Sequence, residues 1–134
     1  MMVLGGEIPD RTPVCLHNFL LAAHEAGVRM EDYRTDPKSI ARAHLHAVEK
    51  YGHDCILVDL DTTLLAEAMG AKAECAPGEP GRIVTPAIHS LDEADRLKPA
   101  NPNHDGRIPA LLEGIQLIHE DVGDEVATRD GVYS

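Results

Sequence analysis

Residues 53–70, H-D-C-I-L-V-D-L-D-T-T-L-L-A-E-A-M-G, decide the fold. From 55 to 61 the side chains alternate as in a strand: Ile56, Val58 and Leu60 point one way, and Leu57, Asp59 and Asp61 the other. Branched apolar residues on one face suit a parallel strand covered by helices. The opposite face turns acidic only at its carboxyl end, where a helix predicted over 62–69 begins at once and stops at Gly70. In α/β proteins that end of the strands is where ligands bind. Asp61 fits two readings. It can cap the helix by accepting from free N–H groups, and spacing alone favours this. A cap needs one carboxylate, however, so Asp59 must face a polar cavity or find a donor if it is buried.

Outward from this stretch, Asp36 and Pro37 open the clearest helix, with Asp as N-cap and Pro in the first turn, where its missing N–H costs nothing. Ile40, Ala41, His44, Leu45, Val48 and Tyr51 recur at helical spacing, and Gly52 ends the run. Upstream, residues 1–13 read as an entry loop with two prolines and two glycines, 13–17 as a short strand, and F-L-L-A-A-H-E-A-G (19–27) as a helix stopped by Gly27. His17 and Asn18 fall at the carboxyl end of that first strand. A polar role for Cys15 and His17 and a plain packing role fit equally well. The resulting βαβα order favours a parallel sheet.

Downstream, residues 71–88 read as a hairpin around a Pro/Gly turn, an excursion that can shape a pocket. Its P-G-E-P-G lacks the Lys and following helix of a phosphate loop. S-L-D-E (90–93) has capping-box spacing for a short helix ending near Leu97. A strong amphipathic helix is predicted over 107–122, with Ile108, Leu111, Leu112, Ile115, Ile118 and Val122 as its buried stripe and Gly123 as stop. Residues 125–132 form a candidate third strand.

Composition bounds the functions. The 134 residues allow one domain with a core, and 43% hydrophobic residues is ordinary for a globular protein. Twenty-three acidic against twelve basic residues give a net charge of −11, which argues against nucleic-acid binding. The first residues lack the basic start and apolar length of a signal peptide, so a cytoplasmic chain is expected. Cys15, Cys55 and Cys75 form no C-x-x-C pair, and buried thiols are the expectation. His44 and His46, two apart on a helix, point to different faces, and no metal site is read from this chain alone.

Taken together, P-D-R-T-P-V (9–14), D-P-K-S-I-A-R-A (36–43), Y-G-H-D-C-I-L-V-D-L-D (51–61), A-E-A-M-G-A (66–71) and D-G-R-I-P-A-L-L-E-G-I (105–115) resemble the amino-terminal part of the uroporphyrinogen decarboxylase superfamily. That superfamily includes decarboxylases of haem synthesis and methyltransferases that move methyl groups between corrinoid proteins and thiols such as coenzyme M. The resemblance implies a (β/α)₈ TIM barrel, of which this chain would supply the first two to three βα units, with the 72–88 hairpin as a family insertion. A barrel takes about 250 residues, so a truncated member or a split-gene half is expected, with open strand edges seeking self-association or a complementary barrel half.

By the resemblance, Asp61 matches the aspartate that in the decarboxylases binds pyrrole N–H groups and steadies charge as CO₂ leaves. His17, Asn18 and Asp59 are the accompanying substrate-binding candidates. Decarboxylases carry an arginine-bearing segment after the first strand to grip the substrate's carboxylates. Here H-N-F-L-L-A-A-H-E-A-G has none, and eight substrate carboxylates would suit an acidic chain poorly. The methyltransferase branch is therefore the closer resemblance. It implies a small-molecule substrate (tetrapyrrole, corrinoid or thiol), and zinc and a corrinoid for a full-length protein, the zinc held by an H-x-C and a later Cys in the carboxyl-terminal half. Uroporphyrinogen decarboxylase is the alternative, and a non-catalytic module that works through a partner chain is a third.

Overall fold

A computed structural model describes residues 2–123 and 125–130. After a 3-10 turn at Met2–Gly5 come β1 (Cys15–Leu16), α1 (Phe19–Glu25), α2 (Met30–Thr35), α3 (Pro37–Tyr51), β2 (Cys55–Val58) and α4 (Leu64–Ala68). The hairpin β3 (Lys72–Glu74) and β4 (Arg82–Thr85), a 3-10 helix (Leu91–Arg96), α5 (Ile108–Val122) and β5 (Ala127–Asp130) complete the described chain. β1, β2 and β5 form a parallel sheet in that order, with Cys15 opposite Cys55 and Ile56 opposite Thr128. This is the α/β fold with a parallel sheet that the βαβα order predicts. β3 and β4 pair antiparallel in a sheet of their own, as expected for the excursion.

Local chemistry explains the best-read elements. The Asp36 carboxylate accepts from the Ser39 N–H at 2.9 Å, Pro37 sits in the first turn, and Gly52 ends α3 in the left-handed region at φ 60. The entry loop is pinned by Asp54, which accepts from the Val14 N–H at 2.9 Å and from the Arg11 guanidinium at 2.6 Å. That bond fixes where β1 starts beside β2.

The core lies under α3 and α5. Ile56, Val58 and Leu60 are buried with Ile40, Ala43, Ala47, Leu111 and Ile118. α5 approaches α3 closely at Gly114, where an added Cβ would lie 2.9 Å from Ile40 Cγ2. No described helix is long and apolar enough to cross a membrane.

Several expectations are corrected. The second strand is Cys55–Val58 and does not run to Asp61; Asp59 to Asp61 follow it as irregular backbone. The following helix starts at Leu64, after a turn through Thr62 and Thr63. The first strand shrinks to Cys15–Leu16. The Ser90 side chain makes no cap bond; Glu93 instead accepts from the His89 N–H at 2.8 Å, and the segment is 3-10 helix. Leu112 is 43% exposed and Tyr51 45%, since both lie at the margins of their helices' packed faces. Cys15 is exposed and Cys55 and Cys75 are half-buried, so none is the sealed thiol expected. α2 has no counterpart among the elements predicted from the sequence. The third strand is present as β5, while 131–132 of its predicted span lie outside the described residues.

Candidate functional site

The parallel register sets the carboxyl ends of β1 and β2 side by side, and the polar residues just beyond them meet there. His17, past β1, places Nε2 3.5 Å from Oδ2 of Asp59, past β2. The imidazole is 37% exposed and packs on the Phe19 ring, 4.8 Å between centroids. Asp59 is buried, which raises its carboxyl above the ordinary range, a rise that His17 partly offsets. Neighbouring Asn18 has both amide atoms, Oδ1 and Nδ2, sealed from water with no hydrogen-bond partner among the described residues.

Asp61 lies deeper, at 5% exposure. Its Oδ1 accepts from the Thr63 N–H (3.0 Å), the Thr63 hydroxyl (2.6 Å) and Arg107 (2.9 Å), and its Oδ2 from Arg34 Nε (2.6 Å). Arg107 also donates from Nε to Glu67 at 2.9 Å, and Arg34 lies 3.6 Å from the same carboxylate. Burial pushes the Asp61 carboxyl up, but the bonds from Arg107, Thr63 and Arg34 outweigh it and hold the carboxyl at about 2. Asp61 therefore both caps the turn into α4 and anchors a network of two guanidinium groups and two carboxylates. Sequence spacing suggested the first role and gave no hint of the second.

α2 explains how these residues are held. Tyr33 is fully buried, and its hydroxyl donates to the Asp59 carbonyl at 2.5 Å while lying 3.0 Å from His44 Nε2. With the Tyr33 proton committed to that carbonyl, the imidazole must carry its own proton on Nε2 to complete the bond. Burial, then the nearby His53, lowers His44 to about 4, so it is neutral near pH 7. The next residue, Arg34, makes the Asp61 contact. One turn of helix thus fixes the loop carrying both Asp59 and Asp61.

The hairpin closes over the same network. Gly81 is buried, and an added Cβ would fall 2.4 Å from Arg34 Nη2 and 2.9 Å from Thr63 Oγ1. Sequence reasoning missed Tyr33, Arg34, Gly81 and Arg107. Arg34 lies just before the 36–43 motif and Arg107 within the 105–115 motif, but no spacing rule pairs them with Asp61 27 and 46 positions away. The segment after β1 holds no arginine; the two at the site arrive from α2 and from the residue preceding α5.

A parallel sheet whose strand ends gather an imidazole–carboxyl pair and a buried carboxylate–guanidinium network defines an α/β protein with a polar site at the carboxyl ends of its strands. The chain belongs to the uroporphyrinogen decarboxylase (URO-D) family, whose profile matches residues 1–129. It is 28% identical over 137 aligned residues to the methylcobamide:CoM methyltransferase MtaA of Methanosarcina barkeri, covering 98% of this chain and 40% of that protein. It is 26% identical to uroporphyrinogen decarboxylase of Ruegeria pomeroyi, covering 95% of this chain and 38% of that one. Among solved structures it is similar to a methyltransferase from Methanosarcina mazei, with a TM-score of 0.78, 27% identity, and coverage of 95% of this chain and 39% of that chain. The chain thus spans about two-fifths of the length of the curated relatives it matches.

Proposed function

We propose that these residues supply the first two to three βα units of a (β/α)₈ barrel and serve a methyltransferase-like enzyme that passes a methyl group from a corrinoid donor to a thiol. The strand order supports the barrel. β5 adds beside β2, on the side away from β1, so the order does not reverse as it would in a doubly wound sheet. On this reading the rest of the barrel comes from a complementary portion.

The observation that carries the branch is the state of the two arginines at the strand ends. Arg34 and Arg107 are already engaged by Asp61 and Glu67, two cations against two carboxylates. A substrate bearing eight carboxylates needs cationic partners not already bound to the protein's own anions, and these two would have to break buried ion pairs to serve. A thiol substrate needs no such grip.

Asp61 is the catalytic candidate as the fixed anionic centre of the site, and His17, Asn18 and Asp59 are the substrate-binding candidates beside it. Oδ1 of Asp61 already accepts three bonds, so a substrate donor would address Oδ2. Zinc and a corrinoid belong to the proposal for the whole protein. By the family resemblance, the zinc would be held in the carboxyl-terminal half of the barrel. The acidic chain is read as cytoplasmic.

The test is to combine the chain with a complementary barrel half and supply methylcobalamin and coenzyme M with zinc, following the visible spectrum of the corrinoid. Demethylation that requires the thiol is expected. Formation of coproporphyrinogen from uroporphyrinogen, abolished by Asp61→Asn, would instead restore the decarboxylase, the reading favoured by the Ruegeria relative.

A further inference from the structure

We propose that the His17–Asp59 pair is the proton acceptor of the site, taking the proton released when the substrate thiol becomes a nucleophile. This rests on the methyltransferase-like reading and assigns the pair a role distinct from that of Asp61.

Three features of the geometry carry it. The two groups directly follow different strands and meet beyond the strand ends, Nε2 to Oδ2 at 3.5 Å, with Asp59 at 6% and His17 at 37% side-chain exposure. One member is thus held inside, its carbonyl gripped by the fully buried Tyr33, while the other reaches solvent. Second, the nearest alternative base is spoken for: Asp61 is bonded to both arginines and to Thr63, and its low proton affinity leaves it a poor acceptor at neutral pH. Third, the adjoining Asn18 amide offers one donor group and one acceptor that the described residues leave unused. Buried polar groups without partners are uncommon and mark a place where a ligand or ordered water completes the bonding. The charged groups around Asp59 are His17 and Asp61, and the Asp61 anion opposes a second permanent anion beside it. This favours a group that gains and loses a proton.

In the step, the thiol S–H bond breaks and its electron pair stays on sulfur. The proton passes to the pair, shared between Asp59 Oδ2 and His17 Nε2, and leaves to solvent from the exposed imidazole. The pair goes from one net negative charge to none.

The test uses the whole chain without any cofactor, with carboxyl and imidazole carbons followed by ¹³C NMR against pH in the wild type and in His17→Gln. Asp59 should titrate above the ordinary carboxylate range and should rise further when the imidazole is lost. Adding 2-sulfanylethanesulfonate should move the Asp59 and His17 resonances, and its S-methyl thioether, which has no such proton, should move them less. An Asp59 that titrates like an ordinary carboxylate, or that ignores His17→Gln, overturns the pair whatever the family activity is. A pair that titrates as described but is blind to the thiol overturns the thiol as its proton donor, while the methyltransferase-like reading stands or falls separately on the corrinoid demethylation assay.

Discussion

Replacing Asp61 by Asn should destabilise the chain more than any other single polar change in it. The substitution keeps size and shape but removes the charge that faces two guanidinium groups, themselves only 10% and 12% exposed at the side chain. Two routes give the magnitude. A carboxyl held at about 2, against an ordinary value near 3.8, corresponds to about 2 to 3 kcal/mol at neutral pH. Breaking a buried pair by removing one partner costs about 3 to 5 kcal/mol, because a charge is left uncompensated. Glu67 remains as a partner for both arginines, so a loss of about 2 to 4 kcal/mol is expected.

The sign with pH follows. A depressed carboxyl contributes stability that is present above pH ~4 and lost as pH falls through about 2. Asp61→Asn should therefore flatten the acid limb of the stability curve as well as lower its plateau. Urea unfolding followed by circular dichroism, at one fixed protein concentration, measures both. A cycle with Arg34→Met should show a coupling of roughly 1 to 3 kcal/mol. A loss below about 0.5 kcal/mol, typical of an ordinary surface change, together with no coupling, would refute the network as the anchor of this loop.

Three further outcomes follow from the same structure. His44 binds its proton more weakly in the folded chain, at about 4 against 6.5, so stability should fall by up to about 3 kcal/mol between pH 6.5 and 4; His44→Leu should remove that slope in urea titrations across the window. Gly81→Ala should unseat the hairpin, since Arg34 cannot yield while bound to Asp61; faster amide exchange across 71–88, with α3 unchanged, is the expected reading. The chain should self-associate, because Ile8 (90% exposed), Leu91 (88%) and Leu21 (54%) add apolar surface to a three-strand sheet whose outer edges carry no further strand among the described residues. Sedimentation at several concentrations tests this, and a monomer with one sharp thermal transition would count against the incomplete barrel.

What the sequence determined by itself was whatever local physics decides. Asp36, Pro37 and Gly52 set both ends of α3 through capping and backbone geometry within a few residues, and the alternation of Ile56 and Val58, continued by Leu60 just past the strand, placed the apolar face of β2 in the core. The parallel sheet followed from element order, and the positions of His17, Asn18, Asp59 and Asp61 at strand ends followed from the sheet. Tertiary structure alone decided what those residues do to one another. Six-residue α2 has too short an apolar pattern to announce itself, yet its Tyr33 and Arg34 hold the loop carrying both carboxylates. Whether Asp61 is a cap, a ligand group or an anchor depends on cations delivered from residues 34 and 107, and no local rule couples positions so far apart. The electrostatic state of a buried carboxylate is set by what packing brings within about 3 Å of it, and that is a property of the assembled fold.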